Sequence, residues 1–96
     1  MNKKKTENST KEKEGKLIGK VTHFFSNISV AVIKLTNGSL SVGDTIRIIG
    51  GENTDFTQEV KSMEIEHKKI KRAKKGDEFG LKVKEKVREG YKVFKV

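Results

Sequence analysis

The stretch LTNGSLSVGDTIRIIGG at positions 35–51 decides the fold of this chain, because it holds two turn signals only a few residues apart. The Asn-Gly pair at 37–38 suits a turn with positive φ at both central residues, and the Gly-Asp pair at 43–44 makes a second reversal. Between these turns Leu40 and Val42 are apolar and two residues apart, so a strand places both on one face. We therefore expect a small arm that folds back and plugs one end of a β-structure with Leu40 and Val42.

Apolar residues outside this stretch fall in short runs that are rich in β-branched and aromatic side chains, as strands are. The six runs that we interpret as strands are KLIGKVTHFF, ISVAVIKL, DTIRIIG, FTQEVKSMEIE, EFGLKVKE and YKVFKV. The segment 67–75 has only Ile70 and Ala73 as apolar residues, which favours a short strand and a loop over a helix. Six short strands with frequent turns predict an all-β sandwich or closed barrel, and closure is favoured because it leaves no exposed strand edge.

The predicted domain begins after a charged segment. Residues 1–15 contain Met1 as their sole apolar residue, so they cannot bury enough surface to offset the entropy lost on folding. We predict a disordered tail over 1–15 and one β-barrel domain over 16–96. The core is expected to contain Val21, Ala31, Ile33, Leu35, Leu40, Ile46, Ile48, Val60, Met63, Phe79, Leu81 and Val83.

The composition is strongly basic. The chain has 96 residues, of which 32% are hydrophobic and 36% charged, and its net charge is +9. This balance favours a polyanionic partner such as RNA, DNA or an acidic protein face, while a solubilising surface without a partner is an equal alternative. The sequence has no Cys, no apolar run long enough to span a bilayer and no apolar stretch after its charged N-terminus. We expect a cytoplasmic protein with no membrane partner.

Candidate catalytic and cofactor-binding residues are few. His23 and His67 are the only histidines, and neither belongs to a His-Glu-x-x-His motif that would hold zinc. Glu64 and Glu66 would share one face of a strand, but the lysines around them favour a solvated, ion-paired face over acid–base chemistry. The segment GKLIGKV lacks the spacing and the Ser or Thr of a phosphate loop. We predict no catalytic residue, no metal and no cofactor, so the protein is not expected to be an enzyme.

A cluster of cations is the strongest functional signal in the chain. Six Lys or Arg residues lie within the nine positions of segment 67–75, and Lys82 and Lys84 lie on the outward face of a later strand. A loop and a strand face of one sign can follow a phosphate backbone, because neutralising phosphates releases counterions. The candidate RNA-binding cations are Lys68, Lys69, Lys71, Arg72, Lys74, Lys75, Lys82 and Lys84. Aromatic residues that could stack on bases are scarce, which predicts phosphate contacts rather than base recognition.

The segment AVIKLTNGSLSVGDTIRIIG resembles the second domain of translational GTPases, of the type found in elongation factor Tu and initiation factor two. The shared pattern is a strand, a Gly-containing turn, an aliphatic residue, a Val-Gly-Asp turn and a β-branched strand. The later segment VKSMEIEHKKIKRAKKGDEFGLKV fits the same pattern, and the resemblance covers 17–96. It implies a closed six-stranded β-barrel of Greek-key type. The segment VREGYKVFKV is also similar to the C-terminal barrel of collagenase-like U32 peptidases.

The resemblance implies two alternative functions. The first is a non-enzymatic barrel that binds RNA, either tRNA or ribosomal RNA, without the GTPase domain of the translation factors. In elongation factor Tu an acidic and a basic residue of this barrel face the terminal adenosine of tRNA, and the matching positions here are Glu64 and His67. The second is a protein-interaction module, an accessory barrel for a separately encoded enzyme such as a U32-type peptidase.

Overall fold

A computed structural model of the chain describes residues 15–96, which form ten β-strands. The strands are β1 (Lys16–Phe25), β2 (Val30–Leu35), β3 (Ser39–Ser41), β4 (Thr45–Gly50), β5 (Thr54–Glu59), β6 (Met63–Ile65), β7 (Lys68–Ile70), β8 (Arg72–Lys74), β9 (Glu78–Lys82) and β10 (Lys92–Lys95). The described residues contain no helix, and hence none that is long and apolar enough to cross a membrane. The predicted disordered tail lies outside the described residues, apart from Gly15 at its end.

Eight of the strands form one sheet, in the order β5-β4-β10-β1-β2-β9-β6-β7, and β3 pairs with β8 in a second sheet of two strands. The pairs within both sheets are antiparallel, and the last strand, β10, lies between β1 and β4. The all-β prediction is confirmed, but the described residues form ten strands where the sequence indicated six. The strands that the sequence did not resolve, β3, β6, β7 and β8, have three residues each, which is too short for alternation to show.

The hydrophobic core follows the alternation seen in the sequence. All the residues that we expected in the core are buried. The core also includes Ile18, Phe56, Ala73, Val87 and Val93. Val93 lies in β10, between β1 and β4, so the final strand is an interior strand of the sheet. Because so small a domain has few buried side chains, each of them contributes a large share of its stability.

The arm around Leu40 is present, but only one of its two apolar residues points inward. Leu40 is fully buried and lies opposite Ala73 of β8. Val42, which we expected beside it, is 42% exposed. The reason is that β3 ends at Ser41, whose N–H donates to Oδ2 of Asp44 at 2.8 Å, so strand alternation stops before Val42.

A two-residue turn with positive φ at both positions occurs where the sequence did not indicate one. At the Asn-Gly pair Gly38 has a φ of 70°, but Asn37 is not in the positive region and donates its N–H to the carbonyl of Ile18 at 3.1 Å. The turn between β6 and β7 instead holds Glu66 at 51° and His67 at 68°. Residues other than Gly rarely adopt this conformation, so the pairing of β6 with β7 must hold it. Glu66 therefore lies in a turn and does not share a strand face with the carboxylate two residues before it.

Gln58 lies in β5, an edge strand of the large sheet, and its side chain bonds to the main chain at the end of β9. Its side-chain Nε2 donates to the carbonyl of Lys82 at 2.9 Å, and its Oε1 accepts from the N–H of Lys84 at 3.0 Å. One amide side chain thus supplies the donor and the acceptor that a residue supplies to a strand ladder. The sheet therefore curls far enough for its edge strand β5 to reach the segment that follows β9.

Candidate docking groove and basic surfaces

The hairpin of β6 and β7 presents part of the predicted basic cluster. Glu64 lies directly opposite Lys69, and Ile65 lies opposite Lys68, with His67 in the exposed turn between the two strands. Within the described chain no hydrogen bond or ion pair joins Glu64 to His67, the two positions that resemblance linked to tRNA. The hairpin therefore displays them on an exposed surface without assembling them into a preformed pair.

The short sheet of β3 and β8 carries the next part of the cluster. Ala73 and Leu40 are buried on its inner face, so Arg72 and Lys74 project from the outer face. Their cross-strand partners are hydroxyl residues, and Arg72 Nη2 donates to Ser39 Oγ at 3.3 Å. Cations beside hydroxyl groups on one face form a surface that suits phosphate or carboxylate oxygens.

The predicted RNA-binding cations are exposed and lack ion-pair partners. Across residues 15–96 the ion pairs are Arg47–Asp55, Lys95–Asp44 and, when the imidazole is protonated, His23–Glu89. None of the eight candidate cations of the basic cluster takes part in them. Their charge is therefore left for solvent, counterions or a partner to neutralise.

Four of the eight candidate cations line two depressions, which share Lys61 and Ser62 in their linings. Lys69 and Lys71 line a depression of about 300 Å³, and Lys82 and Lys84 line a groove of about 620 Å³. Lys61, which the sequence did not single out, lines both. It was missed because it stands alone in sequence, between residues that carry no charge of the same sign.

The larger depression, which we call the seam groove, follows the line where Gln58 bridges β5 and the end of β9. Its walls are formed by Gln58, Glu59, Lys61 and Ser62 on one side and by residues 81–84 on the other. The apolar residues at 81 and 83 lie at its base with their side chains almost fully buried, while the lysines at 82 and 84 are exposed, as strand alternation predicts. Lys84 Nζ also lies 6.0 Å from the ring centroid of Phe56, within cation–π range.

A second basic feature, which we call the lysine row, arises from strands that are distant in sequence. Lys20 of β1 lies directly opposite Lys34 of β2 and Lys92 of β10. Lys34 in turn lies opposite Glu78, but the Glu78 carboxylate accepts a hydrogen bond of 2.7 Å from Thr22 Oγ1. Like charges placed directly opposite destabilise a sheet, so this row costs the domain stability. The lysine row can be recognised only from the register of the strands.

An apolar patch lies at the tip of the β1–β2 hairpin. Phe25 is 44% exposed and Ile28 is 55% exposed. The ring of Phe25 lies 4.4 Å from that of His23, which in turn lies beside Glu89, with Nδ1 and Oε2 3.7 Å apart. A groove of about 530 Å³ adjoins this tip, with Tyr91 among its lining residues.

The described residues offer little for catalysis. No group of three or more His, Cys, Asp or Glu side chains within 15–96 is placed to hold a metal ion. Hydrogen bonds from Arg47 to both carboxylate oxygens of Asp55, at 2.8 and 2.7 Å, hold the pKa of Asp55 below its usual value. That ion pair links β4 to β5 on an exposed face, and it supports the edge strand that carries Gln58.

The curled antiparallel sheet, the buried Leu40 arm and the two Gly-containing turns define an all-β domain of the translation-factor second-domain class. The family model for elongation factor Tu domain 2 matches residues 29–93. That match covers more than half of the chain, and the chain belongs to this family.

Two relatives with longer chains are named as a protease and a collagenase. Over 77 residues the chain is 46% identical to an uncharacterized protease of Methanocaldococcus jannaschii, a match that covers 80% of this chain and 19% of the relative. Over 78 residues it is 33% identical to a collagenase of Porphyromonas gingivalis, covering 81% of this chain and 22% of the relative. The chain thus spans about a fifth of the length of these curated relatives.

Solved structures give the same fold. The C-terminal domain of a Geobacillus thermoleovorans protein named as a U32 peptidase superposes with a TM-score of 0.78 at 19% identity, covering 84% of this chain and 92% of that one. Its selenomethionine variant gives a TM-score of 0.77 at 20% identity, covering 82% and 98%. Both resemblances noted from the sequence, to translation factors and to U32 peptidases, are confirmed.

Proposed function

We propose that this chain is a non-catalytic accessory domain that docks against a peptidase-type protein, as an interaction module of the U32 type. The observation that carries the proposal is the pattern of coverage. About four-fifths of this chain matches about one-fifth of a protease and of a collagenase. In such proteins catalysis would be performed by the remaining part, while this domain contributes binding surface.

The fold proposed for this function is a closed barrel. The two hydrogen bonds of Gln58, to Lys82 and Lys84, support closure, because they join an edge strand of the large sheet to the end of β9. Closure by one side chain leaves a groove at the seam, and such a groove suits a docking partner. We also propose a cytoplasmic setting, where disulfides are rare and a chain without Cys lacks nothing that its neighbours have.

The test uses the protease of Methanocaldococcus jannaschii from which the matching segment has been deleted. Purified and treated with nuclease, it should form a one-to-one complex with this chain in sedimentation-velocity experiments. The intact relative serves as the control, because its own matching segment would already occupy the docking surface. If the truncated relative and this chain sediment independently at concentrations of about 50 μM, well above a micromolar Kd, the accessory function is wrong.

RNA binding is a second candidate function, which the unpaired cations favour. None of the eight candidate cations has an ion-pair partner in 15–96, and Arg72 and Lys74 share one face with hydroxyl residues. We propose that tRNA or ribosomal RNA would contact this surface mainly through phosphates, with Glu64 and His67 at its edge. Lysine is a point charge without base-reading geometry, so affinity should depend weakly on sequence and steeply on salt.

The salt dependence of RNA affinity distinguishes an RNA-binding site from a basic surface that only keeps the protein soluble. If four or five phosphates of a single strand are neutralised, the log–log slope of affinity against salt is about −3. Substituting Lys71→Gln, Arg72→Gln and Lys74→Gln together should flatten it by about two units. The matched control is Lys20→Gln, Lys34→Gln and Lys92→Gln, which removes the same charge from the lysine row. Equal flattening by both triple variants, measured by fluorescence anisotropy with oligouridylate, would assign the binding to net charge and exclude the cluster as a site.

A further inference from the structure

We propose that the seam groove binds an extended acidic segment of the partner protein, in which carboxylates alternate with aliphatic side chains. This inference rests on the proposed accessory function and names the surface that would perform it. The groove has a volume of about 620 Å³ and runs beside β5, the edge strand of the large sheet. Its charge, its floor and its main chain each specify part of the occupant.

The rim of the groove specifies an acidic occupant. Lys61, Lys82 and Lys84 line it, and all three are exposed. Within residues 15–96 none of them is paired with a carboxylate, and Glu59 is the sole acidic residue of the lining. Three lysines against one glutamate leave a local excess of positive charge, which attracts carboxylates and steers their approach.

The floor of the groove specifies aliphatic side chains between the carboxylates. Leu81 and Val83 are among the lining residues, where they are 2% and 4% exposed, and they alternate with Lys82 and Lys84 along the chain. A segment in strand conformation has the same period of two, so its apolar side chains can face the floor while its carboxylates face the lysines. The aliphatic contacts add desolvation that a purely acidic segment would not gain.

The main chain beside the groove offers hydrogen bonds for strand addition. Lys61 and Ser62 connect β5 to β6 and belong to neither strand. No hydrogen bond recorded within 15–96 uses their main-chain groups, whereas their neighbour Val60 bonds in both directions, to Asp44 and Gly43. An extended peptide that pairs with this connector would satisfy these groups, as in β-strand addition to a sheet edge.

The same features disfavour RNA as the occupant of this groove. No arginine and no aromatic residue is among its lining residues, so neither bidentate phosphate contacts nor base stacking is available there. The apolar part of the lining also gives a phosphate backbone nothing to bind, whereas it can contact the aliphatic side chains of a peptide. RNA, if bound, belongs on the β3–β8 face instead.

The direct test is a chemical-shift titration of the isotope-labelled full chain with a synthetic peptide of alternating Glu and Val. Amide signals of Gln58, Lys61, Ser62 and residues 81–84 should shift in a saturable manner. A peptide in which Lys replaces Glu is the charge control and should leave them unchanged. Substituting Lys61→Gln, Lys82→Gln and Lys84→Gln together should weaken binding about tenfold or more, which corresponds to about 1.4 kcal/mol. The lysine-row triple variant should bind within about twofold of the unaltered chain, since its charge loss lies elsewhere.

Two readouts keep this inference separate from the accessory function itself. If the Lys61, Lys82 and Lys84 variant still captures the truncated Methanocaldococcus jannaschii relative at full strength, the groove is the wrong surface although the accessory function stands. If the unaltered chain captures nothing, the accessory function fails, and the peptide titration alone decides the groove. Absent or scattered shifts with the Glu–Val peptide, or shifts of the same amides with oligouridylate, would overturn the inference. Thermal melts of each variant confirm that it is folded before binding is compared.

Discussion

Replacing Lys20 by Glu should stabilise the domain, because Lys20 is the centre of the lysine row. It lies directly opposite Lys34 on one side and Lys92 on the other. The substitution converts two like-charged cross-strand pairs into two pairs of opposite charge. Adjacent strands are about 5 Å apart, so these side chains are near enough to interact through solvent.

The magnitude follows from the number of pairs. A cross-strand pair of opposite charge contributes about 0.2–1 kcal/mol, and a like-charged pair costs a similar amount. Two such changes would sum to more than about 1 kcal/mol if the side chains were shielded from solvent. All three lysines are exposed, however, so solvent screening places the expected gain at about 1 kcal/mol. For a domain of this size that raises the Tm by about 4–8 °C.

The assay is thermal unfolding at low salt, with Lys69→Glu as the matched control. Lys69 is also exposed and in a strand, but it lies opposite Glu64, so the same substitution there creates a like-charged pair. Both variants lower the net charge equally, yet we expect the first to gain stability and the second to lose it. At about 1 M salt the Debye length falls to about 3 Å, and both effects should shrink. If both variants are stabilised alike, net charge governs the response and the register argument is refuted.

Four further outcomes are expected. Leu81→Ala should cost about 2–5 kcal/mol of unfolding free energy, because its side chain is only 2% exposed in the core; a denaturant melt that shows no loss contradicts the core assignment. Gln58→Leu should cost about 1–3 kcal/mol and accelerate hydrogen exchange at the Lys84 amide, which loses its acceptor; unchanged exchange at that amide would mean that Gln58 does not close the seam. Asp55→Asn should destabilise the domain at neutral pH. The folded pKa of Asp55 is depressed, so its contribution is present above the unfolded value near 3.8 and is lost as pH falls through the folded pKa. The difference between this variant and the unaltered chain should therefore vanish in strong acid, and a constant difference across pH would exclude the ionised pair as its source. Calorimetry should detect no saturable GTP binding, since the sequence lacks a phosphate loop; a micromolar Kd would reverse that conclusion.

The longer strands and the core could be predicted from sequence because alternation is a local signal. Phe79, Leu81 and Val83 alternate with polar residues in the sequence, and all three are buried. Val42 shows where this reasoning fails, since a side-chain hydrogen bond at Ser41 ends the strand one residue early. The three-residue strands were predicted only coarsely, because three positions cannot establish a period. The sequence favoured one short strand within 67–75, where the structure has both β7 and β8.

The candidate surfaces were predictable only where their residues are close in sequence. The cations of segment 67–75 were recognised because all six lie within nine positions, and the structure leaves them exposed. The lysine row and the Gln58 bridge depend on pairs of residues separated by tens of positions, such as Lys20 with Lys92. Such pairs follow from strand order, and the placement of β10 between β1 and β4 is not encoded in any local pattern.

The pairing of β1 with β10 brings together the two ends of the described chain, where Lys16 lies opposite Lys95. Neighbouring strands are about 5 Å apart, so a host protein can carry this domain between two of its own residues that are themselves adjacent. Such an insertion leaves the host's backbone path almost unchanged, which allows the domain to be gained, lost or exchanged as a unit during evolution. The same geometry suits circular permutation, with new ends in the exposed turn at 51–53.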